Sequence, residues 1–223
     1  SDFENWRSIA QHLQLSWKDD LVAQYDGFFQ LQELDWEAMA AKYGDIARLD
    51  RLLKAEGRSP DDYQVSKQAD LLQLFYNLGV EGVVDILRRL GYGEKLDEDF
   101  FSRNVRYYLQ RTSHGSTLSR VVHAHVLNLI GESEQAWKFY KQALTSDSGD
   151  IQGGTTGEGI HTGVMAATVW LAMTSFAGVN PDGELLQVNP RLPAHWESIS
   201  FGMTLRGIRY SFETMAGLHL AAL

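Results

Sequence analysis

Two polar loops are the parts of this sequence best suited to chemistry. One has the sequence GGTTGEGIH at residues 153–161, and the other has RTSHGST at residues 111–117. Each loop leads into an apolar segment, so we expect it to deliver hydroxyl, imidazole and backbone N–H groups to the first turn of a helix. The positive end of a helix dipole favours an anion or a sugar hydroxyl there. The two loops therefore predict one site for phosphate or another polar ligand.

The composition excludes several classes of protein. The net charge is −9 and no Lys/Arg run occurs, which disfavours nucleic acid and anionic membranes as partners. There is no cysteine, which excludes disulfides, zinc–thiolate sites and cysteine nucleophiles. The first residues lack the basic and apolar regions of a signal peptide.

His123 and His125 cannot share a helix face, so we predict no metal site. We expect a cytoplasmic protein.

Hydrophobic periodicity indicates helices in the first part of the chain and strands in the second. We predict helices at residues 5–15, 45–55, 66–78, 81–90, 97–109, 116–130, 133–144 and 159–176. The last of these is the most apolar, and we expect it to lie deepest in the core. Strands are predicted at residues 183–188, 199–205 and 208–213, with a turn at Arg206 and Gly207. Helices paired by short loops indicate an α-hairpin array or an α/α barrel.

Four motifs together resemble glycoside hydrolase family 65, the family of maltose, trehalose and kojibiose phosphorylases and their hydrolase relatives. In chain order they are KQAD at 67–70, HGSTLS at 114–119, EGIH at 158–161, and NPRLP at 189–193 with Trp196. QYDGFF at 24–29 and LDW at 34–36 also resemble the run that precedes the Lys-Gln pair in the family. The order and spacing of these motifs are specific in combination, and they cover nearly the whole chain.

The resemblance concerns only the C-terminal part of such enzymes. It implies a mainly α fold: residues 1–180 would form the second half of an (α/α)6 barrel catalytic domain, and residues 181–223 would begin a small C-terminal β-sandwich module. The family's general acid is a glutamate upstream of this region, and no residue of this chain matches its motif. We therefore expect a fragment that is inactive alone. Its apolar faces would be covered by the missing barrel half or by self-association.

The resemblance also implies roles for particular residues in cleaving a disaccharide with inorganic phosphate as co-substrate and no cofactor. Ser116 and Thr117 would donate to phosphate oxygens, and His161 would supply the phosphate-binding imidazole. His114 would shape the loop or touch phosphate. The sugar that is transferred would be held by Lys67 and Gln68, whose ammonium and amide groups suit sugar hydroxyls.

Each of these residues also has a simpler explanation. Ser116 can be the N-cap of the following helix. His161 can be a buried histidine whose hydrogen bonds are satisfied, and Lys67 and Gln68 can be surface residues of a helix. Glu158 is either the base of a hydrolase, a group that orients the loop, or a helix N-terminal acid. Another acidic residue near the loop, Asp147, can be explained simply as a turn residue.

Three hypotheses about function remain. The first is a fragment of an inverting α-glucoside phosphorylase that yields β-glucose 1-phosphate. The second is a hydrolase of the same family acting on α-glucosides. The third belongs to another class: a non-catalytic module that binds sugar, phosphate or a protein partner. The sequence does not identify the disaccharide or its linkage.

Overall fold

The computed structural model describes residues 2–68, 70–149, 157, 159–182 and 185–215. Within these ranges the chain is mainly helical, as predicted. The helices are α1 (Asp2–His12), α2 (Trp36–Tyr43), α3 (Leu49–Ala55), α4 (Gln73–Arg89), α5 (Phe100–Leu109), α6 (Thr117–Leu129), α7 (Ser133–Leu144) and α8 (Thr162–Leu171). Three short 3-10 turns lie at Phe28–Gln30, Pro60–Asp62 and Gly93–Lys95, and a π-helical turn, Ala172–Phe176, follows α8. Among the described helices, none has the length and apolar character to cross a bilayer.

In the described part of the chain, the strands form three antiparallel pairs. They are β1 (Trp17–Lys18) with β2 (Leu21–Val22), β3 (Val179–Asn180) with β4 (Gln187–Val188), and β5 (Ser198–Leu205) with β6 (Ile208–Met215). The β5–β6 hairpin turns at Arg206 and Gly207, as predicted. Both residues have positive φ, 51° and 79°, which is the backbone twist that a two-residue hairpin turn requires.

The chain divides into two compact units, Ser1–Val122 and His123–Leu223. In the first unit, α2 and α3 enclose an apolar cluster of Leu34, Met39, Leu49 and Leu53. The Asp35 carboxylate caps α2 by accepting the Ala38 N–H at 2.9 Å, which fixes where the helix begins. This unit also contains two buried aromatic pairs, Phe28 with Tyr108 and Phe75 with Phe100.

Helix α4 differs from its prediction. The helix expected at residues 66–78 begins only at Gln73, and the segment that contains Lys67 and Gln68 is a loop. The physical reason is non-local: the backbone of Ser66 pairs in parallel with the segment around Thr112 instead of joining a helix. Gly79, the predicted stop, is a kink with φ 70° and ψ 161° inside a longer helix.

In the second unit, α7 and α8 pack around aromatic side chains. Tyr140 contacts Phe176 and Trp196, and its hydroxyl donates to the Thr168 carbonyl oxygen at 3.2 Å. Helix α8 is not as deeply placed as predicted, because Val169 is 60% exposed and Trp170 is 41% exposed. Its apolar composition therefore does not translate into burial on all sides within this chain.

Gly178 has a backbone conformation and a packing environment that only glycine satisfies. Its φ is +73°, and an added Cβ would lie 1.9 Å from the Asn189 carbonyl oxygen. The Asn189 N–H donates to the Gly178 carbonyl oxygen at 2.9 Å, so the two segments cannot separate without losing this bond. Gly131 provides a contrast, because its φ is +82° but no atom lies within 4 Å of its added Cβ.

We predict that Gly178→Ala destabilises the protein more than Gly131→Ala. The Gly131 change costs only left-handed strain, about 1–2 kcal/mol. The Gly178 change adds steric overlap, costing a further ~1–3 kcal/mol. Urea unfolding followed by tryptophan fluorescence measures both. Equal free energies of unfolding for the two variants would contradict the close approach at Gly178.

Candidate functional site

The first unit joins two of the predicted binding segments through the backbone. The Ser66 N–H donates to the Arg111 carbonyl oxygen at 2.7 Å, and the Ser113 N–H donates to the Ser66 carbonyl oxygen at 2.9 Å. The Gly115 N–H then donates to the Lys67 carbonyl oxygen at 2.9 Å. Segments far apart in sequence therefore run side by side. The predicted sugar-binding pair Lys67–Gln68 lies next to the predicted phosphate-binding loop.

Gly115 lies where the loop passes close to both Ala47 and Lys67. A Cβ at this position would lie 2.5 Å from the Ala47 carbonyl oxygen and 3.2 Å from the Lys67 Cγ. Glycine therefore permits a backbone approach that any side chain would block. The preceding residue, His114, has a left-handed φ of 56°, so the chain turns sharply just before this contact.

Helix α6 begins at Thr117, directly after this crossing. Ser116 occupies the position before the helix, and its carbonyl oxygen accepts the Ser119 N–H at 3.2 Å. This placement fits an N-cap, and it also puts the Ser116 hydroxyl at the positive end of the helix. Thr117 is only 4% exposed, whereas Ser116 is half-buried. Ser116 is thus the more accessible of the two hydroxyls.

Arg120 lies one helical turn after Ser116 and stabilises the loop. The sequence did not predict this role. Arg120 is 5% exposed, and its Nη1 donates to the carbonyl oxygens of His114 at 3.0 Å and Ser116 at 3.4 Å. Burial lowers the pKa of the Arg120 guanidinium, and the negative charge of Asp45 opposes that shift. The Nδ1 of His114 is 2.9 Å from the Ser119 hydroxyl. This contact favours the alternative in which His114 shapes the loop.

A network of side chains orients the predicted sugar-binding amide. The Gln68 Nε2 donates to Asp70 Oδ1 at 2.9 Å, and the Gln24 Nε2 reaches Asp70 Oδ2 at 3.4 Å. The Ser66 hydroxyl donates to the Gln24 Oε1 at 2.5 Å. Asp70 therefore holds the amide nitrogen of Gln68, which turns its amide oxygen away from Asp70, where it can accept from a sugar hydroxyl. Gln24 and Asp70 lie within the motifs described above, but the motifs predicted no role for them.

His161 in the second unit is held by a carboxylate that sequence reasoning regarded as a turn residue. His161 lies at the N-cap position of α8. Its backbone N–H donates to Asp147 Oδ2 at 2.9 Å, and its ring Nδ1 lies 2.6 Å from Asp147 Oδ1. The hydrogen bond from the His161 ring lowers the pKa of the Asp147 carboxyl below its ordinary value. Asp147 and His161 are 14 residues apart in the sequence, so no local pattern predicted that they form a pair.

The structure does not test every predicted site residue. Glu158 and the glycine-rich residues 153–156 lie outside the described part of the chain. Ser116 belongs to the first compact unit and His161 to the second, so their convergence on one anion stays a prediction. Over the residues that the structure describes, no group of three or more His, Asp or Glu side chains is arranged to hold a metal ion.

Comparisons with known proteins concern the family of the chain. Residues 1–170 match the model of the glycosyl hydrolase family 65 central catalytic domain, and residues 179–215 match that of the family's C-terminal domain. A trehalose 6-phosphate phosphorylase of Lactococcus lactis subsp. lactis is 46% identical over 192 residues, which are 86% of this chain and 25% of that protein. An uncharacterized glycosyl hydrolase of Mycobacterium tuberculosis is 39% identical over 203 residues, covering 91% of this chain and 15% of that protein.

A solved structure is also similar. It is a human-microbiome protein assigned as a kojibiose phosphorylase, with a TM-score of 0.71 and 22% identity over 96% of this chain and 27% of that chain. This likeness confirms the predicted fold class, a mainly helical part of an (α/α)6 barrel followed by antiparallel strands. The matched part of this chain covers about a quarter of the length of the Lactococcus lactis relative.

We predict that Gly115→Ala loosens the joined loops. The added methyl group overlaps the Ala47 carbonyl oxygen, which costs about 1–3 kcal/mol and weakens the bond from residue 115 to Lys67. Amide hydrogen exchange measured by NMR should be faster at residue 115. Gly93→Ala is the matched control in the same unit, because the nearest atom to its added Cβ lies at 3.9 Å. Unchanged exchange in Gly115→Ala would rule out the tight crossing.

A second prediction concerns the Asp147–His161 pair. The folded-state pKa of Asp147 is lowered from 3.8, so the pair stabilises the fold above that pH and loses its contribution as the pH falls through the lowered pKa. Carboxyl ¹³C NMR should give Asp147 a midpoint below 3.8, and His161→Ala should raise that midpoint. An equal midpoint in both proteins would show that the pair does not form.

Proposed function

The chain belongs to glycosyl hydrolase family 65, and on this basis we propose that it supplies the phosphate- and glucosyl-binding part of an inverting α-glucoside phosphorylase. Its relatives include proteins named as disaccharide phosphorylases, which agrees with the proposal. The proposed reaction transfers the glucosyl unit from a disaccharide to inorganic phosphate. The products are β-glucose 1-phosphate and the released sugar, and inorganic phosphate is a co-substrate in a reaction that needs no cofactor.

One observation carries the proposal: the hydrogen bond from the Gly115 N–H to the Lys67 carbonyl oxygen. Phosphorolysis requires a phosphate oxygen to attack the anomeric carbon while the glycosidic C–O bond breaks and an acid protonates the leaving oxygen. The phosphate must therefore lie beside the sugar that it attacks. A fold that joins the sugar-binding segment to the phosphate-binding segment by their backbones meets this requirement.

The proposed roles follow from the chemistry of each group. The hydroxyls of Ser116 and Thr117 and the first turn of α6 donate to phosphate oxygens, and the His161 imidazole completes the anion site. His114 shapes this loop through its contact with Ser119. Lys67 and the oriented amide of Gln68 hold hydroxyls of the glucosyl unit. Phosphate is already a nucleophile, so these groups orient it and need not deprotonate it.

The chain is proposed to be one part of a larger enzyme. We place the general acid outside these residues, so the chain alone would be inactive. The boundary near residue 180 is proposed as the start of the β module, and the ranges matched by the two family models support it. The exposed side chains of Phe3, Trp6 and Trp170 fit coverage by a missing barrel half or by self-association. The cytoplasmic location stays a prediction.

Hydrolysis of α-glucosides is the alternative within the family. Glu158 would then activate water as a general base, and the phosphate-binding residues would have no role in cleavage. The hydroxyl of Ser116 at the N-terminus of α6 and the held imidazole of His161 favour phosphorolysis. The non-catalytic alternative predicts binding of sugar or phosphate by the whole protein without turnover.

Phosphate dependence of cleavage separates these alternatives. We predict that the whole protein cleaves its disaccharide only when inorganic phosphate is present, and that ³¹P NMR detects β-glucose 1-phosphate. Trehalose 6-phosphate is the first substrate to test, because the 46% identical relative bears that name, followed by kojibiose and nigerose. Cleavage that proceeds at the same rate without phosphate would establish a hydrolase, and no cleavage of any α-glucoside would favour the binding module.

Substitutions should separate the two halves of the site. We predict that Ser116→Ala raises the KM for phosphate by about tenfold, since it removes a hydrogen bond to a charged group. Gln68→Ala should instead raise the KM for the disaccharide. Steady-state kinetics with each substrate varied in turn measures both effects. Asp85→Asn on the exposed face of α4 is the control for a polar substitution away from the site. Equal effects of Ser116→Ala on both KM values would contradict the proposed division.

A further inference from the structure

We propose that Asp147 is a positioning residue that presents the Nε2 of His161 to phosphate, an inference that rests on the proposed function. The motif that suggested His161 ends at that residue and does not include Asp147. The structure adds Asp147 through two contacts with the same histidine. One is to the backbone N–H at 2.9 Å, and the other is to the ring Nδ1 at 2.6 Å.

Asp147 itself is held by the turn that ends α7. The Ser148 and Gly149 N–H groups donate to the Thr145 carbonyl oxygen, at 3.2 Å and 2.8 Å. The Ser146 hydroxyl donates to the Ala143 carbonyl oxygen at 2.8 Å. The Asp147 side chain is 11% exposed. These hydrogen bonds fix the backbone on either side of Asp147. They therefore limit the positions that its carboxylate can take relative to His161.

The two contacts determine different properties of His161. The bond to the backbone N–H fixes the residue at the start of α8, and the bond to Nδ1 fixes the rotation of the ring. A carboxylate only accepts hydrogen bonds, so Nδ1 carries a proton. The other nitrogen, Nε2, then faces away from Asp147. When the ring carries both protons, Nε2–H donates to a phosphate oxygen, and the Asp147 carboxylate offsets the ring's charge.

A purely structural role for Asp147 is the competing explanation. The pair also joins the turn after α7 to the start of α8, and such a contact could matter for folding alone. The two explanations differ in what a conservative substitution changes. Loss of a purely structural contact raises the KM of both substrates, whereas loss of ring orientation raises the KM for phosphate selectively.

Asp147→Asn in the whole protein tests the proposal. Asparagine keeps the shape but has only one acceptor oxygen for the two donors of His161, and its amide NH₂ can donate to Nδ1 and reverse the tautomer. We expect the KM for phosphate to rise about tenfold or more and the KM for the disaccharide to stay unchanged. The unfolding temperature should fall, because the stabilising contribution of the Asp147 carboxylate is lost. Asp85→Asn, an exposed aspartate on α4, should leave both KM values unchanged.

A double-mutant cycle with His161→Ala makes the result specific. If Asp147 acts through the imidazole, Asp147→Asn should add nothing in the His161→Ala background. An undiminished effect in that background, or an equal rise of both KM values, would overturn the proposal. If His161→Ala itself leaves the KM for phosphate unchanged, then the role of His161 in the proposed function fails, and that outcome is distinct from a failure of Asp147 alone.

A measurement on the unsubstituted protein covers the case in which Asp147→Asn does not fold. Long-range ¹H–¹⁵N NMR of the His161 ring should show a proton on Nδ1 and a shift of the Nε2 resonance when inorganic phosphate is added. A ring protonated only on Nε2, or an Nε2 resonance that does not respond to phosphate, would overturn the proposal.

Discussion

The close backbone approach at Gly115 is the constraint on which the candidate site depends. The N–H of this glycine donates to the Lys67 carbonyl oxygen, and a Cβ at this position would overlap the Ala47 carbonyl oxygen. The crossing sets where the polypeptide enters α6, and therefore where the Ser116 hydroxyl and the first turn of that helix lie. Arg120 then stabilises the turn by donating to the carbonyl oxygens of His114 and Ser116.

The polar groups around this crossing are suited to positioning rather than to proton abstraction. On the side proposed to hold the sugar, Asp70 accepts a hydrogen bond from the amide of Gln68. On the side proposed to hold the phosphate, Ser116 and Thr117 lie at the N-terminus of a helix, where an anion is favoured. Holding two reactants in the attacking geometry supplies a large part of the rate acceleration in such reactions. The same logic applies to His161, whose ring is oriented by Asp147.

Local patterns in the sequence predicted the elements that depend on local interactions. Helix α7 has its predicted limits, and the β5–β6 turn falls at Arg206 and Gly207 as expected. The start of α4 could not be predicted in this way, because the backbone of Ser66 pairs with a segment distant in sequence. The limited burial of α8 was also missed, since a helix that is apolar all round does not reveal which faces this chain covers. The motifs identified candidate residues, but Asp70, Arg120 and Asp147 act through contacts that sequence spacing does not show.

A crystal structure of the whole protein with phosphate and glucose bound would test the central claim most directly, that the joined loops bring the sugar and the phosphate together. The account predicts a phosphate with an oxygen on the Ser116 hydroxyl and the first turn of α6, beside a glucose whose hydroxyls contact Lys67 and Gln68. A phosphate bound elsewhere, or a glucose that does not contact the Lys67–Gln68 segment, would contradict it.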